Sequence, residues 1–144
     1  DLPVEAVVEA LQLQERLAAP LRAVLDPMPL YVFNSDEDRR TLQRQLAAQA
    51  HAANQAAQPA TAASLFERAN AAWPSRPLAI SALNMHLKAG DPSLALAGYW
   101  TLLRGALPAT QRMLVQRKLL EAWLGHQRQA AAARLLQARL TLGL

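Results

Sequence analysis

The sequence predicts an all-α chain, an α-solenoid of about three antiparallel helix pairs, and three observations carry that expectation. The first is a short pattern that recurs. It reads Ala62, Phe66, Ala69 and Pro74, then Ala95, Tyr99 and Leu102 with Pro108 beyond, then Ala131, Leu135 and Ala138. The anchor alanines lie 33 and 36 residues apart. The second is what precedes each copy: a helical stretch and a short break, at Ala57-Gln58-Pro59, Gly90-Asp91-Pro92 and Gly125-His126-Gln127. The third is composition. Apolar residues make up 52% of the 144, alanine dominates, and Val, Ile and Thr are few. Alanine loses no side-chain entropy in a helix, and no run alternates apolar and polar residues long enough for a strand.

Taken in order, residues 3–19 read as an amphipathic helix. Pro3 suits a first turn, and Val4, Val7, Val8 and Leu11 make one apolar stripe. Pro20 is expected to interrupt it before Leu21, Val24 and Leu25 extend the stripe by a turn. Pro27 and Pro29 then forbid helix. Met28 and the run Leu30-Tyr31-Val32-Phe33 are expected as an extended, proline-framed apolar strap over 27–33, closing an N-terminal region of residues 1–34. Ser35 followed by Asp38 reads as a helix cap, with Asp36 and Glu37 suiting the positive end of the dipole. A helix is expected over 36–56, another from Pro59 to about 72, and a firm break at Trp73-Pro74-Ser75-Arg76-Pro77. Helices at 78–89, 92–105, 109–124 and 128–141 complete three pairs. Residues 35–144 thus form the repeat domain.

The pattern resembles the tetratricopeptide repeat over about residues 40–141. That family's second helix carries a small residue, an aromatic four later, a small residue three after that, and then a proline. Ala62, Phe66, Ala69 and Pro74 match at all four points. Ala95 and Tyr99 match, with the Gly90-Asp91 turn before them, and Leu102 departs from the small residue expected. The third copy has Gly125, Ala131, Leu135 and Ala138 but no aromatic and no closing proline. The first helices offer Leu46 and Ala50, Ile80 and Leu83, and Val115 and Leu119 as packing positions, and lack the family's usual tryptophan, glycine and tyrosine.

The resemblance implies a shell whose concave face is lined by the first helix of each pair and takes a peptide or helix from another protein. Polar residues expected there are Arg44, His51 and Gln55, then Ser81, Asn84 and Lys88, then Arg112 and Gln116. Some members clamp a carboxylate with Lys and Asn; Asn84 and Lys88, one turn apart, could do part of that, but the matching residues a full clamp needs on the neighbouring pair are absent. The function this implies is a non-catalytic protein–protein interaction module: a scaffold, adaptor or chaperone for a larger bacterial assembly. The alternative is a recruiting or regulatory domain of a longer enzyme whose catalytic part lies elsewhere.

Charge divides the chain into two halves of opposite sign. Residues 1–60 carry a net −3 and residues 61–144 a net +7. Either the two regions lie against each other, or the basic repeats meet an acidic partner. A second copy of the chain is a further candidate partner. Arginine supplies 13 of the 15 bases, the bias of a GC-rich bacterial genome. The absence of cysteine excludes disulfides, thiolate metal sites and a Cys nucleophile. His51, His86 and His126 have no ligand spacing, so no metal site is expected. The acids Asp36-Glu37-Asp38 lack the oxygen-rich loop that calcium needs. No nucleophile elbow or glycine-rich phosphate loop appears, so neither catalysis nor a cofactor is expected. Most of the aromatics sit where repeat packing wants bulk, so the cluster Arg112, Arg117 and Lys118 reads as a solvated face rather than a nucleic-acid site. No apolar run is long enough to span a bilayer. The chain opens at Asp1 without Met, as a trimmed or mature form would, in cytoplasm or periplasm.

Overall fold

A computed structural model describes residues 2–28 and 35–143, and every regular element among them is helical. In chain order these are α1 (Val4–Arg16), α2 (Ala18–Leu25), α3 (Asp36–Gln55), α4 (Pro59–Ala72), α5 (Arg76–Lys88), α6 (Pro92–Leu103) and α7 (Ala109–Leu142). Each of α3 to α7 packs on its chain neighbour, while α1 lies along α6 and α2 touches α5 and α6. The expected strap lies outside the described residues, apart from Pro27 and Met28.

Local chemistry explains most helix ends. The expected break at Pro20 comes earlier, at Leu17 (φ −106°, ψ 26°). Pro20 falls instead in the first turn of α2, where its missing N–H needs no helical partner. Ser35 caps α3 by accepting from the Asp38 N–H at 3.2 Å. The α3–α4 and α5–α6 turns are built alike. In the first, Ala57 N–H donates to the Asn54 carbonyl and Gln58 N–H to that of Ala53. In the second, Gly90 N–H donates to Leu87 and Asp91 N–H to His86. These crossed bonds close each helix around a left-handed residue, Ala57 (φ 57°) or Gly90 (φ 91°). A proline then opens the next helix, Pro59 or Pro92.

The third expected turn does not form. Residues 109–142 are one helix of 34 residues. No proline follows Gly125 to open a new helix, and a glycine inside a helix costs only ~1 kcal/mol relative to alanine. Gly125 has a packing use instead: a Cβ there would sit 3.2 Å from the Cβ of Pro92. The expected pair at 109–124 and 128–141 is therefore replaced by one long rod.

The first two copies of the recurring pattern are core. Ala62, Phe66 and Ala69 are buried, as are Ala95 and Tyr99, with Leu102 partly so. The third is not: Ala131, Leu135 and Ala138 are all exposed. The N-terminal stripe is also reversed. Val4, Val8 and Leu11 face outward, and Ala6, Ala10 and Leu13 face inward. Those three join Leu21, Val24, Leu96, Tyr99, Val115 and Leu119 in one continuous core. Asn70, the buried polar residue of α4, ties it together. Its Nδ2 donates to the Val24 carbonyl at 2.9 Å, and its Oδ1 accepts from the Ser75 N–H at 2.7 Å.

Candidate functional site

A polar cleft opens where α5 and the middle of α7 face each other. Its volume is about 600 Å3. The last turns of α5 supply Asn84, Met85, Leu87 and Lys88. Gly90 and Pro92 line it beyond α5, and α7 supplies Lys118, Glu121, Gly125, Arg128 and Gln129. The positions 118, 121, 125, 128 and 129 recur at helical spacing, so an unbroken helix is what places all five on one wall.

The end of the cleft is tied by backbone capping. Gln129 Nε2 donates to the Gly90 carbonyl at 2.9 Å. The bare Cα of Gly125 lets α7 come down on Pro92. On the α5 wall, Tyr99 donates its hydroxyl proton to Asn84 Oδ1 at 2.6 Å. That bond engages the carbonyl oxygen of Asn84, so what Asn84 offers a ligand is its amide N–H donors. Tyr99 keeps this proton, because burial raises its phenol above the ordinary 10.0 and the Glu121 carboxylate adds to the rise. Lys88 Nζ donates to Asn54 Oδ1 at 2.8 Å, which brings the end of α3 to the rim. Lys118 pairs with Glu121 at 3.3 Å. The lining thus holds three cations, Lys88, Lys118 and Arg128, against one carboxylate. With Met85, Leu87 and Pro92 between them, it suits an anionic, partly apolar segment.

The residues expected to bind a partner do not share one surface. Asn84 and Lys88 line the cleft, and Ser81 is half-buried one turn back on α5. Arg44 is exposed on α3 and bonds Thr41 Oγ1 at 3.3 Å. His51 is exposed, its ring edge-on to Phe66 at 5.1 Å. Gln55 is exposed at the last position of α3. Arg112 caps carbonyls, donating to Leu103 and Gly105 at 3.1 Å each. Gln116 lines a separate recess with Leu2, Met113, Arg117 and Leu120. The α7 wall of the cleft escapes sequence reasoning because a turn was expected at Gly125. The absent proline, where Pro59 and Pro92 stand in the other two turns, is the signal that predicts it.

Two of the three histidines, His86 and His126, act as struts. His86 pairs with Glu67 at 2.5 Å, joining α5 to α4. His126 Nδ1 lies 3.0 Å from Ser93 Oγ, and its Nε2 lies 3.4 Å from Glu9 Oε2. Ser, His and Glu in a row resemble a hydrolase triad in composition only. The serine sits on Nδ1 and the acid on Nε2, the reverse of the usual arrangement, and none of the three lines the cleft. Their place is at the junction of α1, α6 and α7.

Comparison of the chain with family models, with curated proteins and with solved structures found no match. Among the described residues no helix is long and apolar enough to cross a membrane.

Proposed function

We propose that this chain is a non-catalytic protein-interaction module of the tetratricopeptide-like kind, and that the α5–α7 cleft takes an acidic segment of a partner protein. The observation that carries the reading is the cleft's lining: Lys88, Arg128 and the Asn84 amide around apolar side chains, with the one carboxylate, Glu121, paired to the third cation, Lys118. The matched turns after α3 and α5 support a repeated hairpin as its frame. The role as a scaffold, adaptor or chaperone in a larger bacterial assembly follows from this kind of fold.

The test is fluorescence polarisation with labelled peptides rich in Asp, Glu and Leu, set against the same peptides with Lys in place of the acids. The acidic series binds and the basic series does not. Lys88→Glu together with Arg128→Glu lowers affinity at least about tenfold, the worth of one or two lost charge-assisted contacts, while circular dichroism stays the same. Equal binding of both series, or a variant that binds as well as the parent, overturns the reading.

A further inference from the structure

Two helix faces of this molecule are apolar, outward and without a neighbour among the described residues. The first belongs to α7. Its packing seam runs at alternating steps of four and three, from Val115 through Leu119, Ala122, His126 and Gln129 to Ala133, Leu136 and Leu140. As far as Gln129 the seam is occupied. Val115, Leu119 and Ala122 are buried, His126 is held by Ser93 and Glu9, and Gln129 bonds the Gly90 carbonyl. Beyond it the rod leaves the body, and residues 131–143 are exposed throughout. Leu135, Leu136, Leu140 and Leu142 are 56%, 59%, 65% and 72% exposed. Four leucines on one bare arm of a folded chain mark a surface that meets another surface.

The second face is the outer stripe of α1. Val4, Val8 and Leu11 are 73%, 46% and 42% exposed. Glu15 continues the stripe and Glu5 flanks it. The two faces match in length and oppose in charge. Val4 to Glu15 and Ala131 to Leu142 each cover about 17 Å at the helical rise. The arm's charged residues are Arg134 and Arg139, with no acid among them. The α1 helix carries Glu5, Glu9 and Glu15 against Arg16. Laying one arm on another would set arginines against arginines. An arm on α1 sets them against glutamates.

We propose that a second copy of this chain covers both faces: the α7 arm of each protomer lies on the outer α1 stripe of the other, related by a two-fold axis. A two-fold exchange makes the contact twice. That doubling takes two short helix faces toward the ~1,200 Å2 of a stable interface. The proposal does not use the cleft, and its readout is mass rather than peptide binding.

The test is sedimentation or light scattering of the full chain at tens of micromolar. The parent chain runs at twice its 15.7 kDa. Leu136→Glu with Leu140→Glu runs as a monomer of unchanged helicity. Arg134→Glu with Arg139→Glu, and separately Glu5→Arg with Glu15→Arg, each weaken the dimer at least tenfold. Mixing those two charge-reversed chains restores it, because each reversed arm then meets a reversed α1. A parent chain that is monomeric at this concentration overturns the proposal. So does a dimer that ignores Glu5→Arg with Glu15→Arg, which would mean arm-on-arm pairing. A monomer that instead takes up a synthetic acidic amphipathic helix assigns the arm to a different protein.

Discussion

Ala57 holds a left-handed conformation at φ 57°, in a turn whose counterpart uses Gly90 at φ 91°. A Cβ makes that conformation unfavourable by ~1 kcal/mol or more, and glycine takes it freely. Glycine also loses more entropy on folding, which offsets part of the gain. Ala57→Gly should therefore stabilise the chain by about 0.5 kcal/mol, read as a rise in the urea midpoint with unchanged slope. A loss of stability would mean the Ala57 turn is not left-handed. Tyr99 offers a test of a different kind. Its phenol is raised above 10.0 by burial first and by Glu121 second. Below pH ~10 the tyrosine is neutral in both folded and unfolded chains, so its contribution to stability is fully present. As pH climbs past 10 the unfolded chain releases the proton and the folded one keeps it. Stability then falls by up to ~1.4 kcal/mol per pH unit. Urea titrations at pH 7 to 11 should show that slope in the parent, reduced in Tyr99→Phe. Parallel curves for the two proteins would show that the phenol is not buried.

At the scale of helices, legibility follows how local the determining physics is. The Ser35 cap, the prolines opening α4 and α6, and the breaks before and after them rest on neighbouring residues, and the structure has them, except that α5 takes in Arg76 and Pro77 from the expected break at 73–77. The buried faces of α4 and α6 were readable too, because Ala62 and Ala95 sit one turn before Phe66 and Tyr99 in the same spacing. Leu135 has that spacing and is exposed, because a pattern on one helix does not create the neighbour it needs. The same logic reverses α1. Periodicity marks two stripes on α1, the bulky one of Val4, Val7, Val8 and Leu11 and the smaller one of Ala6, Ala10 and Leu13. The helix that packs against α1 is rich in small residues, among them Ala95 and Ala97. Close approach to such a surface favours alanine at the contact, and the valines are left outside. The polar cleft was half legible for a related reason. Asn84 and Lys88 share a face of α5 that sequence spacing reveals. Lys118 and Arg128 share theirs only because α7 continues through Gly125.

For the whole molecule, what matters is that the N-terminal helices belong to the core rather than resting on it. Leu13 and Val24 are as buried as Leu83 and Leu119, and Leu21 is nearly so. Asn70 bonds the Val24 carbonyl from the heart of α4, and Gln14 Nε2 donates to Thr101 Oγ1 at 2.6 Å on α6. His126 reaches Glu9 from the rod. These contacts link chain ends that lie far apart in sequence, so α3 to α7 do not form a closed stack without α1 and α2. Burying a Leu or Val side chain contributes roughly 1.5–3 kcal/mol. Losing Leu13, Leu21 and Val24 together removes on the order of 5 kcal/mol, comparable to the ~5–15 kcal/mol that holds an entire domain. Deletion of residues 1–34 should therefore abolish cooperative thermal unfolding, while much of the helical circular dichroism remains. The exposed side of α6 should bind an apolar dye. The parent chain, with that side covered, should show a single sharp transition and little dye signal. A truncated chain that melts as sharply and as high as the parent, without dye binding, would show that α3 to α7 fold alone and that the N-terminal helices are an accessory.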